Sequence, residues 1–153
     1  MYMVQRGLHV ASGRPLGLIL VLMLVAGAGC NKQPYGCVPV SGKVTYEDGS
    51  LIPAEQIRVK FLSQAPALDP KVHPREGVAK VDVKTGAFDS VTTYAAKDGI
   101  VPGEHKVLIE CFSEGQMRSD LVPREYADLR KTPLTVDSSK SPFELKVPKP
   151  KSS

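Results

Sequence analysis

The chain has 153 residues, enough for one domain, and the part after residue 29 is still long enough for a packed core. Proline and glycine stand at 13 each and tryptophan is absent, which disfavours a long-helix protein and suits short strands joined by turns. The net charge of +4 falls to +2 without Arg6 and Arg14, because 18 basic and 16 acidic side chains then remain. No segment concentrates this charge, so nucleic-acid binding is not predicted.

Residues 1–29 have the pattern of an export signal. Arg6 and Arg14 precede an apolar run from Leu16 to Ala28, and small residues follow. A membrane-spanning helix needs about 20 apolar residues, and this run is shorter. The sequence therefore predicts a signal peptide that is removed, not a retained membrane span.

The segment Gly27–Ala28–Gly29–Cys30 resembles a bacterial lipobox. In that family of signals the chain is cut just before the cysteine, whose sulfur carries a diacyl group, and palmitate-type acylation of the new N-terminus follows. The resemblance implies a lipid anchor at Cys30 on the periplasmic side of the envelope or in the outer membrane. Lipoboxes usually carry leucine where this chain has Gly27, so ordinary cleavage near Ala28 remains the alternative.

The remaining chain is predicted to be an all-β domain between two polar segments. Residues 30–37 are polar and turn-forming and are predicted to be a flexible tether; residues 148–153 are predicted to be a disordered tail. Between them, residues 38–147 show the alternation of half-buried strands, with turn signals such as Asp48–Gly49. The predicted strands are residues 38–46, 56–61, 78–84, a short strand near Phe88, and residues 104–112, 133–136 and 143–147.

Three stretches of this region resemble transthyretin-like or carboxypeptidase-regulatory-like domains. They are "VSGKVTYEDGSLIPAEQIRVKF" (40–61), "VDVKTGAFDSV" (81–91) and "VPGEHKVLI" (101–109). A fourth, "LVPREYADLRKTPLTV" (121–136), is similar to a loop of short exported lipoproteins from planctomycete-type bacteria. The resemblance implies a single seven-stranded antiparallel Greek-key sandwich. It implies no reaction, because such domains mostly serve as accessory or adhesive modules.

Cysteine and histidine offer little chemistry. If Cys30 is acylated, Cys37 and Cys111 remain, and an oxidising compartment would permit a disulfide between them. The alternative is that Cys111 is a small buried hydrophobe on the inward face of its strand. His73 and His105 have no ligand-spaced neighbours, so neither a metal nor another cofactor is predicted.

A long loop, Ser113 to Thr132, is the best candidate for recognition. Long loops are often functional, and arginine and tyrosine are favoured at interfaces. The candidate interaction residues are Arg118, Arg124, Tyr126 and Arg130. The alternative is that Tyr126 and Leu121 simply hold the loop against the edge of the sandwich.

These observations predict a membrane-anchored extracytoplasmic lipoprotein that binds or scaffolds another envelope protein without catalysing a reaction. A carbohydrate-binding accessory domain is the alternative, and it would need exposed Tyr94, Phe112 or Tyr126 in one patch. An enzyme with an unrecognised site is the second alternative, although the sequence has no serine nucleophile elbow and no phosphate-binding loop.

Overall fold

The computed structural model describes residues 33–150, so the predicted signal peptide, Cys30 and the end of the tail lie outside the described residues. No helix within residues 33–150 has the length and apolar character needed to cross a membrane. Eight strands and two short 3-10 turns occur in this part of the chain. The strands are β1 Gly42–Tyr46, β2 Gln56–Ser63, β3 Gly77–Val81, β4 Ala87–Phe88, β5 Glu104–Ser113, β6 Gln116–Met117, β7 Thr135–Asp137 and β8 Phe143–Val147.

The strands form two sheets, which confirms the all-β prediction. The three-stranded sheet has the order β4-β1-β8. The larger sheet has the order β3-β2-β5-β6, and β7 also pairs with β5. Strand β5 is the longest, and it pairs with β2 along the whole length of β2, from Gln56↔Phe112 to Ser63↔His105.

One strand pair contradicts the predicted antiparallel sandwich. Strands β1 and β8 are parallel, with Gly42 opposite Phe143 and Tyr46 opposite Val147. A parallel pair needs a crossover connection. Here the connection is long, because all strands of the larger sheet lie between β1 and β8 in the sequence. The amide of Phe143 donates to the carbonyl of Ser41 at 2.9 Å, which places the start of β8 beside the start of β1.

One strand boundary also differs from the prediction. The expected strand over residues 38–46 begins only at Gly42, because Val38 instead forms an isolated bridge with Ile100 and Pro39 has no amide to donate. In the predicted tail, of which residues 151–153 lie outside the described part, the ammonium of Lys149 lies 2.6 Å from a carboxylate oxygen of Asp48. This hydrogen bond lowers the pKa of Asp48.

The core lies between the sheets and is centred on Phe61. This side chain is fully buried on β2, and its ring lies 5.9 Å from that of Phe88 and 5.8 Å from that of Phe143, measured between centroids. Phe88 and Phe143 belong to the smaller sheet, so Phe61 joins the two layers. The predicted inward faces of β2, β5 and β8 are all buried, namely Ile57, Val59, Phe61, His105, Val107, Ile109, Cys111, Phe143, Leu145 and Val147.

Candidate functional site

The loop from Ser113 to Thr132 is fixed to the domain by two tyrosines. Tyr126 lies in a 3-10 turn, is only 9% exposed and packs into the hydrophobic core. The hydroxyl of Tyr46 donates to the carbonyl of Leu121 at 2.7 Å. Tyr126 therefore holds the loop in place, as the alternative interpretation expected, and is not part of the accessible surface.

The three arginines of the predicted interaction site differ in their surroundings. Arg118 donates from Nε and Nη2 to the two carboxylate oxygens of Asp120, at 2.8 and 2.6 Å. This pairing lowers the pKa of Asp120 to about 2. Arg124 and Arg130 are exposed, and Leu129 beside Arg130 is 42% exposed. Of the four predicted interaction residues, Arg124 and Arg130 are therefore exposed and, among the described residues, outside any ion pair, and the exposed Leu129 lies next to Arg130.

Replacing Tyr46 with phenylalanine should loosen this loop. The change removes only the hydroxyl and leaves the carbonyl of Leu121 without that donor, so we expect a loss of about 1–2 kcal/mol in unfolding free energy. Urea unfolding would measure the loss, and limited trypsin digestion should cut faster after Arg118 or Arg124. Tyr94→Phe is the control, because the hydroxyl of Tyr94 only accepts a 3.2 Å hydrogen bond in an exposed place. Equal behaviour of the two variants would contradict the anchoring role of Tyr46.

A second cluster lies around Tyr35, which was expected in the flexible tether. The amide of Leu68 donates to its hydroxyl at 3.0 Å, and the hydroxyl can donate to the carbonyl of Pro66 or Val72, both at 3.1 Å. The Tyr35 ring also stacks on that of Tyr94, with centroids 6.5 Å apart. Tyr35 therefore belongs to the folded domain, because its side chain bonds to the loop between β2 and β3.

Asp98 organises the loop that carries Tyr94. Its carboxylate accepts hydrogen bonds from the amides of Thr93, Tyr94 and Ala95 at 2.8–2.9 Å. Burial alone would raise the pKa of Asp98, but these amide hydrogen bonds outweigh it and the pKa is lowered. Asp98 is thus ionised at neutral pH and serves the backbone of its own loop.

The possible disulfide is not formed, because Cys37 and Cys111 are both free thiols. Cys37 lies beside Asp98, next to the bridge between Val38 and Ile100, whereas Cys111 is buried opposite Ile57 on β5. Burial raises the pKa of each thiol to about 11, and the charge of Asp98 adds to the effect at Cys37. Both thiols are therefore protonated at neutral pH and are poor nucleophiles.

Neither His73 nor His105 is placed as a metal ligand. His105 is 1% exposed and its Nδ1 lies 3.1 Å from the carbonyl of Gly103, so Nδ1 carries the proton. Burial lowers the pKa of His105, which keeps the ring neutral at pH 7. His73 is exposed in the loop before β3. Within residues 33–150, no group of three potential ligands could hold a metal ion.

The aromatic residues that sugar binding would require do not form one patch. Tyr126 is buried, and Tyr94 is engaged by Tyr35. Phe112 lies near the opposite end of β5 from the Tyr94 loop, and the Arg58 guanidinium covers its ring at 4.8 Å. Tyr126 is therefore not accessible to a sugar, and the half-buried Tyr94 and Phe112 do not share one patch with it.

An open concavity of about 430 Å³ lies near the start of β8, with Glu104, Asp137, Lys140 and Glu144 among its lining residues. The carboxylate of Asp137 accepts hydrogen bonds from the amide and hydroxyl of Ser139, at 2.9 and 2.7 Å. These bonds lower the pKa of Asp137. Asp137 therefore caps the 3-10 turn Ser138–Lys140, and its carboxylate is occupied by these hydrogen bonds.

Comparisons with protein-family models, with curated proteins and with solved structures found no match to this chain.

Proposed function

We propose that this protein is a lipid-anchored extracytoplasmic module that binds or scaffolds another envelope protein and does not catalyse a reaction. The observation that carries the proposal is the short distance in sequence between Cys30 and Tyr35. Tyr35 lies only five residues after Cys30, and its hydroxyl already forms hydrogen bonds with the domain. A chain cut before Cys30 and acylated there would thus consist almost entirely of an anchor and a folded module.

The two-sheet architecture supports the resemblance to transthyretin-like domains. Such domains mostly serve as accessory or adhesive modules, as the proposed binding role requires. The recognition surface we propose is Arg124, Leu129 and Arg130. The anchoring of this loop by Tyr46 and Tyr126 means that little conformational entropy is lost when a partner binds. Arginine is also enriched at protein interfaces, where its planar guanidinium pairs with carboxylates.

The lipid anchor is tested with two cysteine variants of the full-length chain expressed in a bacterium that exports lipoproteins. Cys30→Ser should remove labelling by an alkyne-bearing fatty acid and abolish membrane retention after an alkaline wash. Cys37→Ser is the matched control, because it removes a nearby cysteine and should stay labelled and membrane-bound. Membrane retention of unlabelled Cys30→Ser would instead indicate an uncut signal anchor, and release of unlabelled wild type would indicate ordinary cleavage near Ala28.

The scaffold role is tested by cross-linking in the anchored protein. A photo-cross-linker at Leu129 should capture one envelope protein, and Arg124→Glu with Arg130→Glu should abolish the capture. The matched control places the same two changes at Lys43 and Lys146, which are exposed on the smaller sheet. Capture that the arginine changes leave intact would contradict this surface.

A further inference from the structure

The domain has two ends, which β5 separates. Its ten residues from Glu104 to Ser113 extend about 30 Å. Ser63 is paired with His105, so the loop after β2 leaves the sheet at the Glu104 end. Gln116 is paired with Ser113, so the candidate interaction loop begins at the other end.

The Glu104 end carries a surface that we call the Tyr35 face. It consists of Tyr35, Leu68, Lys71, Arg75, Tyr94 and Lys97. The residues are joined through the aromatic stack: Leu68 bonds to Tyr35, and the Arg75 guanidinium lies 5.5 Å from the centre of the Tyr94 ring. Lys71 lies in the turn whose Val72 carbonyl meets Tyr35, and Lys97 lies in the Asp98 loop.

The length of chain before Tyr35 sets how far this face can lie from an anchor at Cys30. Five residues span at most about 18 Å when fully extended. An acylated cysteine sits at the membrane surface, because its acyl chains are buried in the bilayer. The Tyr35 hydroxyl is bonded into the domain, so the part of the Tyr35 face around Tyr35 stays within about that distance of the lipid headgroups.

The composition of the face suits a bilayer surface. Tyrosine is enriched at membrane–water interfaces because its ring is apolar and its tip is polar. Leu68 is 62% exposed, the highest value among the exposed large hydrophobic side chains described. Lys71, Arg75 and Lys97 are exposed, and among the described residues none of them has a carboxylate within 4.0 Å.

The acidic residues of the same segments are directed to groups of the protein itself. Asp69 accepts the amides of Lys71 and Val72, at 2.7 and 3.0 Å. Asp98 accepts three amides of its own loop. Glu76 lies 3.9 Å from the ammonium of Lys60. The cations therefore remain available to lipid phosphates.

From these observations we propose that the Tyr35 face docks on the surface of the bilayer that holds Cys30, with its cations against anionic lipid headgroups. This inference rests on the proposed lipid anchor. Docking in this orientation would direct the Ser113 end of β5 away from the membrane. The anchor would then orient the module as well as retain it.

The test is hydrogen exchange of the full-length lipoprotein, purified from membranes and reconstituted in vesicles of phosphatidylcholine with or without phosphatidylglycerol. We expect amides of residues 64–76 and 93–98 to exchange on the order of tenfold more slowly in the anionic vesicles, as a few basic residues near such a surface would produce. Residues 113–121, at the other end of β5, should exchange equally in both.

Variants separate the docking from the anchor. Lys71→Gln with Arg75→Gln should lose the protection of residues 64–76 while the protein still sediments with the vesicles. Arg124→Gln with Arg130→Gln removes the same charge elsewhere and should keep the protection. Protein that sediments with both kinds of vesicle but exchanges equally in them overturns the docking face and leaves the anchor standing. Protein that does not sediment with vesicles overturns the anchor itself.

Discussion

Replacing Gly99 with alanine is expected to cost about 4 kcal/mol or more of unfolding free energy, or to prevent folding. An added Cβ would lie 1.9 Å from the carbonyl oxygen of Val38, and neither backbone segment can move without breaking the bridge between Val38 and Ile100. The φ of +97° adds strain for any residue with a side chain. Denaturant unfolding followed by circular dichroism would measure the loss.

Gly103→Ala separates the cost of the steric clash with Val38 from the cost of backbone strain at a positive φ. Its φ of +111° is similar, but nothing lies within 4 Å of the added Cβ, so only the backbone strain of about 1–2 kcal/mol should appear. If Gly99→Ala costs no more than Gly103→Ala, the close approach of Gly99 to Val38 does not hold in the folded protein.

Truncating Phe61 to alanine should cost about 3–5 kcal/mol, because it empties the space where the two sheets meet. The ring is fully buried and contacts Phe88, Phe143 and the edge of His105. Calorimetric or chemical unfolding would measure the effect.

Phe112→Ala is the matched control for Phe61→Ala. Phe112 is half-buried at the far end of β5, where its ring packs under Arg58. Its loss should remove this cation–π contact, at a cost of about 1 kcal/mol in unfolding free energy, together with the smaller burial energy of a half-exposed ring. Equal costs for the two variants would contradict a core centred on Phe61.

Much of the larger sheet could be predicted from sequence because its alternation is regular. Ile57, Val59 and Phe61 face inward as the pattern indicated, and so do Val107 and Ile109. The parallel pairing of β1 with β8 could not be predicted, since alternation is the same in parallel and antiparallel strands and carries no direction. The two strands are also far apart in sequence: the hydrogen bond from the Ser41 amide to the Ser141 hydroxyl joins residues 100 positions apart.

The interaction loop and the Tyr35 face also depend on long-range contacts that the sequence does not reveal. The sequence shows that the loop after β5 is long and rich in arginine. Only the fold reveals that Tyr126 is buried and that Arg118 forms an ion pair with Asp120. Tyr35 was assigned to a tether because its neighbours are polar and turn-forming. Its hydrogen bonds reach the loop over 30 residues later, and no local pattern encodes that contact.

Whether Cys37 and Cys111 form a disulfide could not be predicted from sequence for a related reason. A bridge between Cys37 and Cys111 was possible only because they are the thiols left after Cys30, which is an argument from number and compartment. Disulfide geometry requires Cα atoms within about 7 Å. Sequence could not supply that distance, and the fold places one thiol in a surface loop and the other in the core.

The most direct test of the lipid-anchored module is the intact mass of the full-length protein purified from membranes. The account predicts a chain that begins at Cys30 and carries a diacylglyceryl group, with a further acyl chain at the new N-terminus. The mass of the uncut chain of 153 residues, or of a chain cut near Ala28 that carries no lipid, would contradict it.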